Sequence, residues 1–286
     1  MRNYNKSQAF SVGDNLFTSV QYPTSLQRFI HCAFVILAMC DDSWINESNI
    51  KDRDSLITLA KIQEQAERFN DMACAMKKVV ETSKTLNNEE RNLFSVAYKN
   101  VVGCCRSAWR VVSNIEQRLD DQKKKQAGEY RKTIEKELQV VCQEVLDLLH
   151  ESLLKSENTA EGIVFYKKME GDYYRYLAEV LTDDKRADVV KHSREAYQAA
   201  TEKANSDLPP THPIRLGLAL NFSVFYYEIE NNPEKACSIA QTAFNESIGQ
   251  LDQPESGSFK DSTLVMQLLR DNLTCLLPRV QIDKKC

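Results

Sequence analysis

Glycine and proline are scarce, at eight and seven residues in a chain of 286. Turn-rich β folds consume both, so their scarcity favours long helices joined by short loops. No C-x-x-C pair occurs among the nine cysteines (32, 40, 74, 104, 105, 142, 237, 275 and 286), and their spacing is irregular. The four histidines (31, 150, 192 and 212) stand at no ligand spacing to them. No metal site is expected, and the thiols read as small buried hydrophobes of a cytoplasmic protein.

Long hydrophobic runs are missing too. The most apolar stretch, FIHCAFVILAMC at 29–40, has twelve residues, whereas a spanning helix needs about twenty. The region upstream of it is long and weakly charged, and the DDSW behind it makes a poor cleavage site for a secretory leader. The run is expected to be a short packed or interfacial helix, without stable membrane insertion. A basic excess is absent, since 37 Lys and Arg face 41 Asp and Glu for a net charge of −4. That argues against a dedicated nucleic-acid binder while leaving room for a local basic patch. No nucleophile–base constellation appears, so no enzyme, catalytic residue or cofactor is expected.

What is present is helical periodicity. Hydrophobic content of 42% and charged content of 27% are those of a globular protein. Residues 1–51 lack a sustained period outside the apolar run and read as a partly disordered extension carrying a short apolar helix. From 52 to 277 the pattern is helical almost throughout, with no period-2 strand and no strict repeat. Residues 278–286 form a short basic tail. In SLITLAKIQEQAERF, Leu56, Leu59, Ile62, Ala66 and Phe69 recur at three- and four-residue steps, one amphipathic stripe. The long segment that follows opens with Asn87 or Asn88 as N-cap and Glu89 and Glu90 in its first turn. Two later segments begin with Pro213 and with Asn232–Pro233. Pro278 is expected to stop the last helix. The total is about nine helices with short connections.

The stretch AYKNVVGCCRSAWR, 97–110, poses the functional question. At 100° per residue, Lys99 and Arg106 differ by about 20°, and Arg110 shares their face, giving a cationic stripe about 16 Å long. Cys104 and Cys105 lie off that stripe. A solvated face is the plain reading. Yet the bases interrupt an apolar sequence and have no acid four residues away, so they invite an anion from elsewhere. In GDYYRYLAEV, Arg175 offers a planar bidentate fork and Tyr176 a hydroxyl. In LGLALNFSVFYYEIE, Asn221 and Glu228 share a face with Val224, and Leu220 stands beside it. The last helix carries Leu264, Val265, Leu268, Asn272 and Leu276 as an apolar stripe with one amide. Taken singly, each of these also reads as ordinary helix packing.

Taken together, RNLFSVAYKNVVGCCRSAWRVVSNIEQ resembles the first signature of the 14-3-3 family and KDSTLVMQLLRDNLT the second. GDYYRYLAEV and THPIRLGLALNFSVFYYEI resemble the family between them, and the likeness runs from about Leu56 to Leu277. It implies an all-α fold of nine antiparallel helices, an L- or cup-shaped protomer with an amphipathic groove. The implied function is a dimeric adaptor for phosphoserine or phosphothreonine in client proteins, pairing with itself or with other family members. By position, the resemblance makes Lys99, Arg106, Arg175 and Tyr176 the phosphate clamp, with Arg110 along the basic side. It assigns Asn221, Asn272 and Glu228 to the peptide backbone, and Leu220, Val224, Val265, Leu268 and Leu276 to the apolar wall. The implied dimer interface is Ile62, Ala66, Arg68, Val112, Ile115, Tyr130 and Glu137, with an Arg68–Glu137 ion pair between protomers.

The chain departs from the family pattern at several positions. Cys105 replaces an arginine, which is expected to thin the field around the clamp. Glu170 replaces a lysine and is expected to add negative charge at the groove mouth. Leu276 replaces a tryptophan, Ala108 a serine, and Thr133 a lysine that pairs with Asp71. The rival readings are a tetratricopeptide-like scaffold for unmodified segments, which needs a 34-residue repeat, and a divergent paralogue with a weakened groove.

Overall fold

The helices begin where side chains can satisfy the free N–H groups of a first turn. In the computed structural model, the described residues are 45, 50, 52–250 and the helix 259–283, whose side chains are described over 262–274. All belong to one unit, Met39–Cys286. Among them are nine helices and no strand: α1 Arg53–Gln65, α2 Phe69–Ser83, α3 Asn88–Glu116, α4 Asp121–Leu148, α5 Ala160–Val180, α6 Asp183–Asp207, α7 Pro213–Glu228, α8 Pro233–Ile248 and α9 Phe259–Asp283. Helix α4 continues through one π turn, Leu149–Leu153, to Ser156. No described helix is long and apolar enough to cross a membrane. The apolar run 29–40 and the Leu276 side chain lie outside the described residues.

Asn87 caps α3 by accepting from the Glu90 N–H, and the Glu90 carboxylate returns to the Asn87 N–H at 2.8 Å. The same carboxylate binds Arg53 of α1, Nε at 3.0 Å, so one cap also ties α1 to α3. Asp52, Asp120, Thr159 and Asn232 cap α1, α4, α5 and α8 through their side chains. At α7 the His212 ring accepts from the Ile214 N–H while Pro213 takes the first helical position.

Two boundaries differ from the sequence reading. The stripe from Leu56 to Phe69 is not one helix face, because α1 ends at Gln65 and Glu67 turns through a left-handed φ of 55°. Leu56, Ala60 and Gln63 are buried, and Ile62 is 58% exposed. At the other end, α9 runs through Pro278 to Asp283. Proline's own φ is helical, so its cost is confined to one lost hydrogen bond and the clash with the preceding turn.

The first hydrophobic cluster joins α1–α5 around Phe94, Tyr98, Leu138 and Leu149, and Ile45 is buried in it. The second joins α5–α8 around Tyr197, Phe222 and Phe225. The third joins α7–α9 around Leu216, Met266 and Leu269. Helix α5 contributes to the first two. It therefore has little free surface, and any polar side chain it carries inward must be matched by its neighbours.

Candidate functional site

Helix α5 buries Asp172 and Arg175, each 5% exposed. Asp172 answers four donors. Its Oδ1 accepts from Arg175 Nη2 at 3.1 Å, from Asn221 Nδ2 at 2.8 Å and from the Tyr197 hydroxyl. Its Oδ2 accepts from Lys168 Nζ at 2.8 Å. Burial works to raise the Asp172 pKa, but Lys168 and Arg175 outweigh it and hold the carboxyl down to about 2. The group is thus an anion at any physiological pH, and it joins α5, α6 and α7 at one point.

Tyr176, the next residue along α5, backs the cations. The Arg106 guanidinium carbon lies 4.2 Å and that of Arg175 4.8 Å from the Tyr176 ring centroid. Both guanidiniums therefore stand against one aromatic ring, within cation–π range. Burial pushes the Tyr176 phenol up to about 12, so it keeps its proton to donate.

The acid that α3 does not supply comes from α5. Glu179 receives Arg106 at both oxygens, Nε at 2.9 Å and Nη2 at 2.6 Å. Arg110 Nη2 lies 3.6 Å from the same carboxylate. Burial alone would lower the Arg106 pKa, and the bond to Glu179 raises it instead. Lys99, two turns earlier, is exposed and has no ion pair with a described residue. Five cations, Lys99, Arg106, Arg110, Lys168 and Arg175, thus share the region with two carboxylates, Asp172 and Glu179.

Sequence reasoning named Lys99, Arg106, Arg110, Arg175, Tyr176 and Asn221 but missed Asp172, Glu179, Lys168 and Tyr197. The signal for two of them was available, since Asp172 is three residues before Arg175 and Glu179 four after it, within helical reach. Tyr197 carries no such signal, because it arrives from another helix. Asn221 is reached from Asp172, and its neighbour Leu220 packs on the third cluster together with Val265 of α9. Leu264 and Leu268 are 60% and 45% exposed. Asn272 is half-buried, and Glu228 is exposed at the end of α7.

Two of the noted departures face elsewhere. Glu170 is buried, and its carboxylate is taken by His150 Nε2 at 2.9 Å and Lys167 Nζ at 2.7 Å. Five residues from Arg175 amount to about 140° around the helix, so Glu170 faces α4 and not a groove mouth. Cys105 is likewise buried against α4. Burial pushes its thiol up to about 11, helped by the Glu137 carboxylate. Position 105 therefore bears on Glu137 more than on the clamp, and neither Cys105 nor the buried Cys142 is an activated thiol. Arg68 binds Asp71 of its own chain, Nε to Oδ2 at 2.7 Å.

The fold and the site define a class: an all-helical protein whose buried carboxylates hold a cationic cluster beside an apolar helix face. The family model described as 14-3-3 protein matches residues 59–275. The chain is 59% identical over 235 residues to 14-3-3 protein beta/alpha of Rattus norvegicus, covering 82% of this chain and 96% of that one. It is 58% identical over 225 residues to 14-3-3 protein beta/alpha-A of Xenopus laevis, covering 78% and 92%. The chain belongs to the 14-3-3 family, whose members are adaptors and not enzymes.

Proposed function

We propose that the chain is a phosphoserine- and phosphothreonine-dependent adaptor, acting as a dimer in the cytoplasm through residues 52–277. The observation that carries this reading is the charge balance of the cluster. Five cations stand against Asp172 and Glu179, and counting Glu228 beside Asn221 still leaves a surplus of two, suited to a phosphate of charge near −2. Lys99, Arg106, Arg175 and Tyr176 bind the phosphate by charge-assisted hydrogen bonds, and Arg110 extends the basic side. Asn221 and Asn272 hold the client main chain, with Glu228 near the first. Leu220, Val224, Val265, Leu268 and Leu276 form the wall for apolar flanking residues. A concave cationic patch also speeds encounter with an anionic client although the chain is negative overall.

The dimer reading rests on where apolar side chains are left exposed. Ile62 of α1 is 58% exposed, while Ile115 of α3 and Tyr130 of α4 are 48% and 61% exposed. Lys61 pairs with Glu89 at the start of α3, and Arg131 pairs with Glu116 at its end. Glu89 to Ile115 is about 39 Å along the helix, so one chain carries two separated apolar patches. A two-fold dimer uses such a pair, each patch meeting the other one on the partner. Ala66 and Val112 extend the patches. Arg68 exchanges Asp71 for Glu137 of the partner, whose carboxyl is raised by burial and has no ion pair with a described residue of its own chain.

A fluorescent peptide of the type Arg-Ser-x-phosphoserine-x-Pro binds at micromolar concentration or better, measured by anisotropy, and its unphosphorylated twin does not. Equal binding of the two peptides sinks the reading. Light scattering tests the dimer: Ile62→Asp shifts the protein toward monomer, and an unchanged mass for that variant removes the proposed interface.

A further inference from the structure

Tyr197 of α6 lies outside the proposed clamp, and it reaches the centre of it. Its hydroxyl accepts from Arg175 Nε at 3.1 Å and donates to Asp172 Oδ1. A carboxylate only accepts and a guanidinium only donates, so the group between them must do both. A hydroxyl does so in one proton arrangement alone. Burial raises the Tyr197 pKa well above its ordinary value, so the phenol keeps the proton that this arrangement needs.

The ring has no freedom to move the hydroxyl. It is stacked on Phe222 at 5.2 Å between centroids and packs on Phe225 at 5.7 Å. On its other side is Gly171, where a Cβ would stand 2.8–2.9 Å from three ring carbons. Ser193, one turn before Tyr197, donates to the Gly171 carbonyl at 2.8 Å and fixes the spacing of α5 and α6.

Resting on the phosphate reading above, we propose that Tyr197 is the positioning residue of the clamp. Nε of Arg175 is held by Tyr197 and Nη2 by Asp172, so two anchors set the guanidinium plane, whose carbon stands 4.8 Å from the Tyr176 ring centroid. Without the hydroxyl, Nε turns to Asp172, the fork rotates, and the guanidinium shifts from its place against the Tyr176 ring. The same hydroxyl steadies Asp172, which also holds Asn221. Tyr197 therefore couples phosphate binding to main-chain binding without touching the peptide.

The test uses Tyr197→Phe, which keeps the ring between Gly171 and Phe222. Phosphopeptide affinity falls about tenfold or more, the loss of one to two hydrogen bonds to charged groups. Phe225→Leu, which changes ring packing but not the hydroxyl, costs less than about threefold. In an Arg175→Lys background the effect of Tyr197→Phe shrinks to about twofold, because no fork remains to be aimed. The Arg175 Nε–H resonance in nitrogen-edited proton spectra is slow to exchange in the parent protein and fast in Tyr197→Phe. If Tyr197→Phe does not fold, Asp172→Asn, which weakens the second anchor, must give the same selective loss. Affinity of Tyr197→Phe within twofold of the parent, or an equal loss with and without Arg175, overturns the proposal. Should the parent bind both peptides alike, the phosphate reading falls, and the Arg175 resonance still decides whether Tyr197 aims the guanidinium.

Discussion

The basic and apolar sides of the proposed groove are built differently. Arg106 and Arg175 are each held by two hydrogen bonds to neighbouring side chains and stand against one ring. On the apolar side, Leu220 and Val265 pack on the third cluster while Leu268 is 45% exposed. A preorganised cationic wall spends little entropy on binding, so it fixes one chemical group in one place. An apolar wall with a partly exposed leucine repacks around varied flanking residues. The difference predicts strict demand for the phosphate and tolerance of what surrounds it.

The comparison breaks most severely at Lys99. Lys99→Glu replaces an exposed cation by an anion, and phosphopeptide affinity falls more than about a hundredfold. Circular dichroism and melting temperature stay unchanged, because Lys99 has no ion pair to lose within the described residues.

Acid weakens the basic wall and leaves the apolar one uncharged. The Asp172 carboxyl is held at about 2 against an ordinary value near 3.8. A depressed carboxyl stabilises the fold above the unfolded value and loses that contribution as pH falls through the folded one. The Asp172 contribution is therefore nearly complete above about pH 4 and falls by about 2 kcal/mol between about pH 4 and pH 2. Denaturant titrations across that window measure it, and Asp172→Asn removes this part of the slope.

The apolar wall yields less. Leu268→Asp lowers phosphopeptide affinity about tenfold, the order of one half-buried leucine, and the loss varies with the residue after the phosphate. The smallest effect sharpens the boundary of the site. Cys105→Ala changes phosphopeptide affinity less than about twofold while lowering stability by about 1 kcal/mol, because its side chain packs against α4. A large affinity loss there would return position 105 to the clamp.

Much of this arrangement is legible along the chain. Scarce Gly and Pro, the caps at Asn87 and Asn232, and Pro213 mark helices because capping and φ restriction are local physics. The stripe of Lys99, Arg106 and Arg110 follows from the helical angle alone. Local rules misread the stretch from Leu56 to Phe69, where a left-handed turn at Glu67 separates two helices of similar period. They also overweighted Pro278, since a proline disfavours a helix without forbidding it.

The sequence by itself determined the helices, the face on which the cations stand and the absence of a metal or redox cysteine pattern, all set by neighbours within a few residues. Only the tertiary structure decided which acids hold those cations. Glu179 reaches Arg106 from another helix, Tyr197 reaches Arg175 from a third, and Asn221 closes on Asp172 from a fourth. Such pairings depend on how α3, α5, α6 and α7 pack, and packing sums many weak contacts that no local spacing records.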